Sequence, residues 1–131
     1  LVLARLLDDL SESCLMSSFH GGKLNTMKAH YLNDAGDVRI IRPLVDVRES
    51  ALADFARRHE LPVIPDNCPA CFAMPTQREH FKQLLAGEEQ GNGQLFHSLK
   101  SAMAPLVADG MERAVAHAQA HALPLPPERQ G

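Results

Sequence analysis

The chain has 131 residues, the size of one domain; 45% are hydrophobic but only 5% aromatic, and none is tryptophan. A formal net charge of −3 argues against a surface that coats nucleic acid generally, while leaving room for a local basic patch. Three cysteines make a poor disulfide framework, and no run approaches the ~20 apolar residues that span a membrane, so a reducing, cytoplasmic setting is expected.

Leu1-Val2-Leu3-Ala4 is too short for a signal peptide and runs straight into Arg5 and Asp8-Asp9. It reads as the end of a buried strand, as though the chain began inside a longer protein. From Asp8 a helix is expected, with Leu10, Cys14, Leu15 and Phe19 near helical spacing and Gly21-Gly22 as its stop. Leu24 to Lys28 is a connector. Ala29–Leu32 and Val38–Leu44 read as strands of a hairpin around Asn33-Asp34-Ala35-Gly36-Asp37.

The next helix is marked by Asp46 and Glu49 as a capping box, with Leu52, Phe55 and Ala56 as its apolar stripe. Leu61 to Ile64 reads as a second buried strand, so strand, helix and strand alternate as in an α/β fold. A further helix opens at Pro75-Thr76, with Thr76 and Glu79 as a capping box and Phe81, Leu84 and Leu85 inward; Gly87 to Gly93 is expected to break it. Gln94–Val107 and Gly110–Ala122 read as two helices parted near Pro105 and Asp109. A Pro-rich tail follows, extended or disordered. Three parts result: an α/β part over 1–86, a helical extension over 87–122 and a flexible tail over 123–131.

Four groups of residues carry chemistry. Asp8, Asp9 and Glu12 put three carboxylates in one helical turn, at the edge where open α/β folds bind ligands. They could hold Mg²⁺ through water or position a nucleotide; the competing reading is plain complementarity to the helix dipole. Lys23, Lys28, Arg39, Arg42 and Arg48 make the interval from Gly21 to Arg48 net basic against Asp34, Asp37 and Asp46. That is either an RNA phosphate surface or a solvated face, and charge alone favours the second. His117 and His121 lie four apart without a sulfur or acidic ligand nearby. Cys14 falls on an apolar helix face and reads as a small buried hydrophobe.

The fourth group is Cys68-Pro69-Ala70-Cys71, whose spacing turns two sulfurs toward one point on a loop stiffened by Pro69. A zinc site needs four ligands and an iron–sulfur cluster three or four, and Cys14 is the one further cysteine. Either more ligands come from elsewhere or the pair is a dithiol. Half of a structural zinc site in a non-catalytic module is one reading. A redox dithiol is a poorer one, because Pro75 delays the next helix.

The order of motifs favours one of these readings, with the zinc half-site kept as the alternative. Leu7-Asp8-Asp9-Leu10-Ser11-Glu12-Ser13, Phe19-His20-Gly21-Gly22-Lys23-Leu24, Ile41-Arg42-Pro43-Leu44, Val47-Arg48-Glu49 and Pro62-Val63-Ile64-Pro65-Asp66-Asn67-Cys68 follow in sequence. This order resembles the carboxy-terminal half of the tRNA 2-thiocytidine synthetase family, within the PP-loop ATP pyrophosphatases, from Leu1 to about Leu85. The resemblance implies an adenine-nucleotide hydrolase-like (Rossmann-like) α/β sheet with flanking helices, and tRNA as partner. It also implies ATP and Mg²⁺ for adenylating a cytidine carbonyl, and a [4Fe–4S] cluster for the sulfur step.

By that resemblance Asp8 and Asp9 are the catalytic acids, and Cys71, with Cys68 second, is the cluster ligand. Lys23, Lys28, Arg42 and Arg48 are candidate tRNA contacts, a reading that comes from the basic charge of their interval and not from the resemblance. The family's phosphate-cradling loop and first cysteine pair lie upstream of the matching region, and Ala4-Arg5-Leu6 stands where the family has glycine and two histidines. The isolated chain is therefore expected to be inactive. The sulfur donor and a homodimer are left open.

Overall fold

The computed structural model describes residues 1–63 and 76–120, with side chains through residue 108. Six elements follow in order: α1 (Leu7–Gly21), β1 (His30–Leu32), β2 (Arg39–Ile41), α2 (Glu49–Arg58), α3 (Gln77–Gly91) and α4 (Leu95–Ala120). Among the described residues this is a mixed α/β arrangement of four helices and one two-stranded antiparallel sheet. The larger Rossmann-like sheet is not seen there. One isolated parallel bridge is present, Val2 to Ile41, with Leu3 N–H donating to the Ile41 carbonyl at 2.9 Å. The strand expected at Leu1–Leu3 thus finds a partner but is not buried: Leu1 and Val2 are 66% and 63% exposed.

Local chemistry explains the elements that form where expected. The α1 helix stops at Gly22, whose φ of 60° is the left-handed value a Cβ would disfavour. In the hairpin, Asn33 Oδ1 accepts the N–H groups of Asp37 and Val38 at 3.1 Å, and Gly36 takes φ 74°. The register pairs Tyr31 with Ile40. Thr76 caps α3 by accepting the Glu79 N–H at 3.2 Å.

Four expectations need correction. Asp46 does not cap α2: the helix starts at Glu49 behind Arg48, which makes no side-chain cap, and Asp46 pairs with Lys100 at 3.1 Å. Residues 61–63 form no strand, and Val63 is 72% exposed; Ile64 lies outside the described residues. Gly87 does not end α3, which continues to Gly91. An interior glycine costs only ~1 kcal/mol, which weakens a helix without ending it. Finally α4 is one 26-residue helix that passes through Pro105. Proline removes one N–H there, but an alanine-rich surround and the burial of Met103 in the core keep the helix going.

The core joins Leu7 and Leu10 of α1, Val45, Leu85 of α3, and Phe96 and Met103 of α4, with Cys14 packed against it. Burying each of these large side chains contributes on the order of 1.5–3 kcal/mol. No residue of α2 is buried, and Leu52 and Phe55 of its apolar stripe are exposed among the described residues. What fastens α2 is polar, and it leads to the acidic turn.

Candidate functional site

The first turn of α1 carries Asp8 and Asp9, with Glu12 one turn on. Asp9 folds back to accept the Leu6 N–H at 2.8 Å, closing its own helix start. Asp8 reaches outward and accepts the Glu49 N–H at 2.7 Å, so it supplies the cap of α2 that Asp46 does not. Glu12, one turn on, is buried, with a side chain only 6% exposed.

Two arginines from elsewhere in the chain answer these acids. Arg78, in the first turn of α3, donates its Nε to Glu12 at 2.8 Å and an Nη to Asp9 in a short ion pair. Arg48, just before α2, lies 3.3 Å from both Asp8 oxygens and makes a two-pronged pair with Glu89 at 2.6 and 3.0 Å. Its guanidinium also stacks 3.4 Å from the Phe96 ring centre. Lys82 of α3 adds a 3.1 Å pair with Glu49.

Burial pushes the Glu12 carboxyl above its ordinary value; the Arg78 hydrogen bond and charge oppose this and do not cancel it. The hydrogen bond to Glu89 raises Arg48, and its partner Glu89 is lowered by the same bond. Lys82 is raised, chiefly by its hydrogen bond to Glu49.

The three acids of α1, with Glu49, Arg78, Glu79 and Lys82, line a cleft of about 300 Å³ between α1 and α3. Five carboxylates stand on its wall against two cations, Arg78 and Lys82, both engaged with carboxylates. An anion such as a phosphate therefore finds no spare charge here, whereas a group that donates hydrogen bonds does. Magnesium, which the family resemblance implies, does not fit the acidic turn as built. Each of its carboxylates is committed to a guanidinium, and among the described residues no group of three or more His, Cys, Asp or Glu is placed to hold a metal.

The structure thus brings Asp8 and Asp9 together with Glu12 on one cleft wall. Among the residues read as tRNA contacts, Arg48 is drawn into the ion-pair network. Arg42 donates to the Lys28 carbonyl at 2.6 Å and lies over the Tyr31 ring at 5.3 Å. Lys23 is exposed just past the end of α1. Cys68, Cys71 and His121 lie outside the described residues, as does the side chain of His117. Sequence reasoning missed Arg78, Lys82 and Glu89. Their pairing with opposite charges more than thirty positions away has no local signature.

Glu12 yields a pH prediction whose sign follows from its raised value. The folded state holds this proton more tightly than the unfolded chain. That contribution is therefore fully present below the ordinary value of 4.5 and is lost as pH rises through the raised value. Glu89, held low, has the opposite sign, losing its contribution as pH falls. Urea titrations across this range should show the wild-type chain losing stability relative to Glu12→Gln as pH rises from 4.5 toward neutrality. Parallel curves would mean that Arg78 fully compensates the burial of Glu12.

Comparison with known proteins defines the class: the relatives are tRNA-modifying sulfurtransferases. The chain is 38% identical over 103 residues to a Geobacter sulfurreducens protein named tRNA-cytidine(32) 2-sulfurtransferase, covering 79% of this chain and 40% of that protein. Proteins of the same name from Rhizobium etli and Ruegeria pomeroyi are 41% and 40% identical over 91 and 90 residues, or 69% and 68% of this chain and 31% and 30% of theirs. The chain is thus a relative of the tRNA-cytidine 2-sulfurtransferase family that spans two fifths or less of the length of these curated relatives, and the resemblance read from its motifs holds. No protein-family model matches it, and no solved structure is significantly similar.

Proposed function

We propose that the chain is the carboxy-terminal segment of a cytoplasmic tRNA-thiolating enzyme that replaces the 2-oxygen of a cytidine with sulfur. Position 32, given in the relatives' names, is the site it would modify. The observation that carries this reading is the 38–41% identity to these relatives across more than two thirds of the chain. In the reaction the cytidine carbonyl oxygen attacks ATP and takes AMP while pyrophosphate leaves, and sulfur then displaces AMP. A [4Fe–4S] cluster, when bound, supplies an iron site that can hold the incoming sulfide, with Cys71 as its ligand in this chain and Cys68 second.

The chain's own contribution near the base is the acidic cleft. Asp9 stands on its wall with Arg78 and the Leu6 N–H fixing its orientation, and Asp8 is fixed by Arg48 and the Glu49 N–H. Carboxylates so held suit a cytosine, whose exocyclic amine donates hydrogen bonds, better than they suit a phosphate. Phosphate binding is then left to the segment carrying the phosphate-cradling loop. Nothing among the described residues favours the zinc alternative. The two metals are told apart by colour, since Zn²⁺ is d¹⁰ and an iron–sulfur cluster absorbs broadly in the visible.

The test is transplantation. This chain replaces the matching 103-residue segment of the Geobacter sulfurreducens relative, and thiolated cytidine in tRNA is the readout.

A further inference from the structure

The acidic turn looks like a cation site until its contents are counted. Asp9 and Glu12 lie one turn apart on α1 and converge on a single guanidinium, that of Arg78. Glu12 is one of the few buried polar residues among those described, so it is not a solvated surface acid that pairs by chance. Arg78 enters from the first turn of a different helix, and α1 and α3 are packed against each other along this contact. A planar fork that meets two carboxylates at once matches their geometry in a way that an ammonium does not. Asp8, the third acid, has its own guanidinium in Arg48.

We propose that Arg78 is the resident cation of the acidic turn: its guanidinium takes the place between Asp9 and Glu12 that a divalent ion would need, and it fixes the Asp9 carboxylate on the cleft wall. Arg78 is on this account a positioning residue acting through Asp9. Any divalent ion that serves the larger reaction is bound elsewhere than this turn. The inference rests on the contacts of Arg78, and it stands or falls independently of the sulfurtransferase reading.

A titration of the full 131-residue chain with Mn²⁺, followed by paramagnetic broadening of backbone amide signals, tests it without any assay of activity. In the wild-type chain the amides of Asp8, Asp9 and Glu12 should broaden no more than those of the exposed acids Asp34 and Asp37. Arg78→Gln should create a saturable Mn²⁺ site at Asp9 and Glu12, bound at least ~10-fold more tightly than anything in the wild type.

Because Arg78→Gln leaves Glu12 buried without its counter-charge, it can fail to fold. The Glu12→Gln/Arg78→Gln double variant replaces the ion pair by two neutral amides and takes the Arg78 guanidinium away from Asp9, while Asp8 keeps Arg48. It should gain Mn²⁺ broadening at Asp9 relative to Glu12→Gln alone. Saturable wild-type binding at Asp9 and Glu12 overturns the proposal, and so does a double variant that binds no better than Glu12→Gln.

Discussion

Arg48→Ala is expected to destabilise the chain by about 3 kcal/mol, seen as a lower urea midpoint by circular dichroism. The size follows from what one guanidinium does at once. It neutralises Asp8 and Glu89, which would otherwise face each other across the same gap, and it covers the face of the buried Phe96. Through Asp8 it also holds the acid that caps α2, a helix with no buried residue of its own. The pair is partly open to water, Arg48 at 24% and Glu89 at 38%, which keeps the expected loss toward the lower end for a broken buried pair. Arg48→Lys should recover only part of the loss, because an ammonium keeps the charge but neither the two-pronged geometry nor the stack. A loss below ~1 kcal/mol for Arg48→Ala would place Arg48 among ordinary surface ion pairs.

The same residue shows how far the sequence could be read. Arg48 was grouped with Lys23, Lys28 and Arg42 because charge is visible in one dimension, whereas its partners are not. Asp8 is 40 positions away and Glu89 is 41. Features written within a few residues were legible: the Gly22 stop, the Asn33–Gly36 turn and the Thr76 cap all depend on local backbone chemistry. The α2 cap was misassigned because Asp8 answers the Glu49 N–H from another helix, while Asp46 turns to Lys100. Gly87 and Pro105 misled because each weakens a helix locally without ending it, and core packing at Met103 keeps α4 going. Of the candidate site, the three acids were legible as a group and their arginine counter-charges were not.

Cys71→Ser carries the other large expected effect. In the chimera with the Geobacter sulfurreducens relative, reconstituted without oxygen, it should remove both the visible cluster absorption and tRNA thiolation. A serine oxygen is a poor substitute for a thiolate ligand to iron. Cys68→Ser should reduce both less. Cys14→Ser should cost only packing, since Cys14 of α1 lies half-buried against the core. Iron content separates this from the zinc reading in the same sample, because a zinc site would leave the preparation colourless. If Cys68→Ser destroys the cluster while Cys71→Ser keeps it, the roles of the two cysteines are exchanged. If neither matters, the cluster is not held by this loop.

The central claim is that this chain can serve as the matching segment of a tRNA-cytidine 2-sulfurtransferase. It is tested most directly by nucleoside mass spectrometry of tRNA from cells whose sole thiolating enzyme is the chimera. The account predicts 2-thiocytidine in that tRNA, and none when this chain is supplied alone. A chimera that folds and loads its cluster, yet leaves the tRNA without 2-thiocytidine, would contradict it.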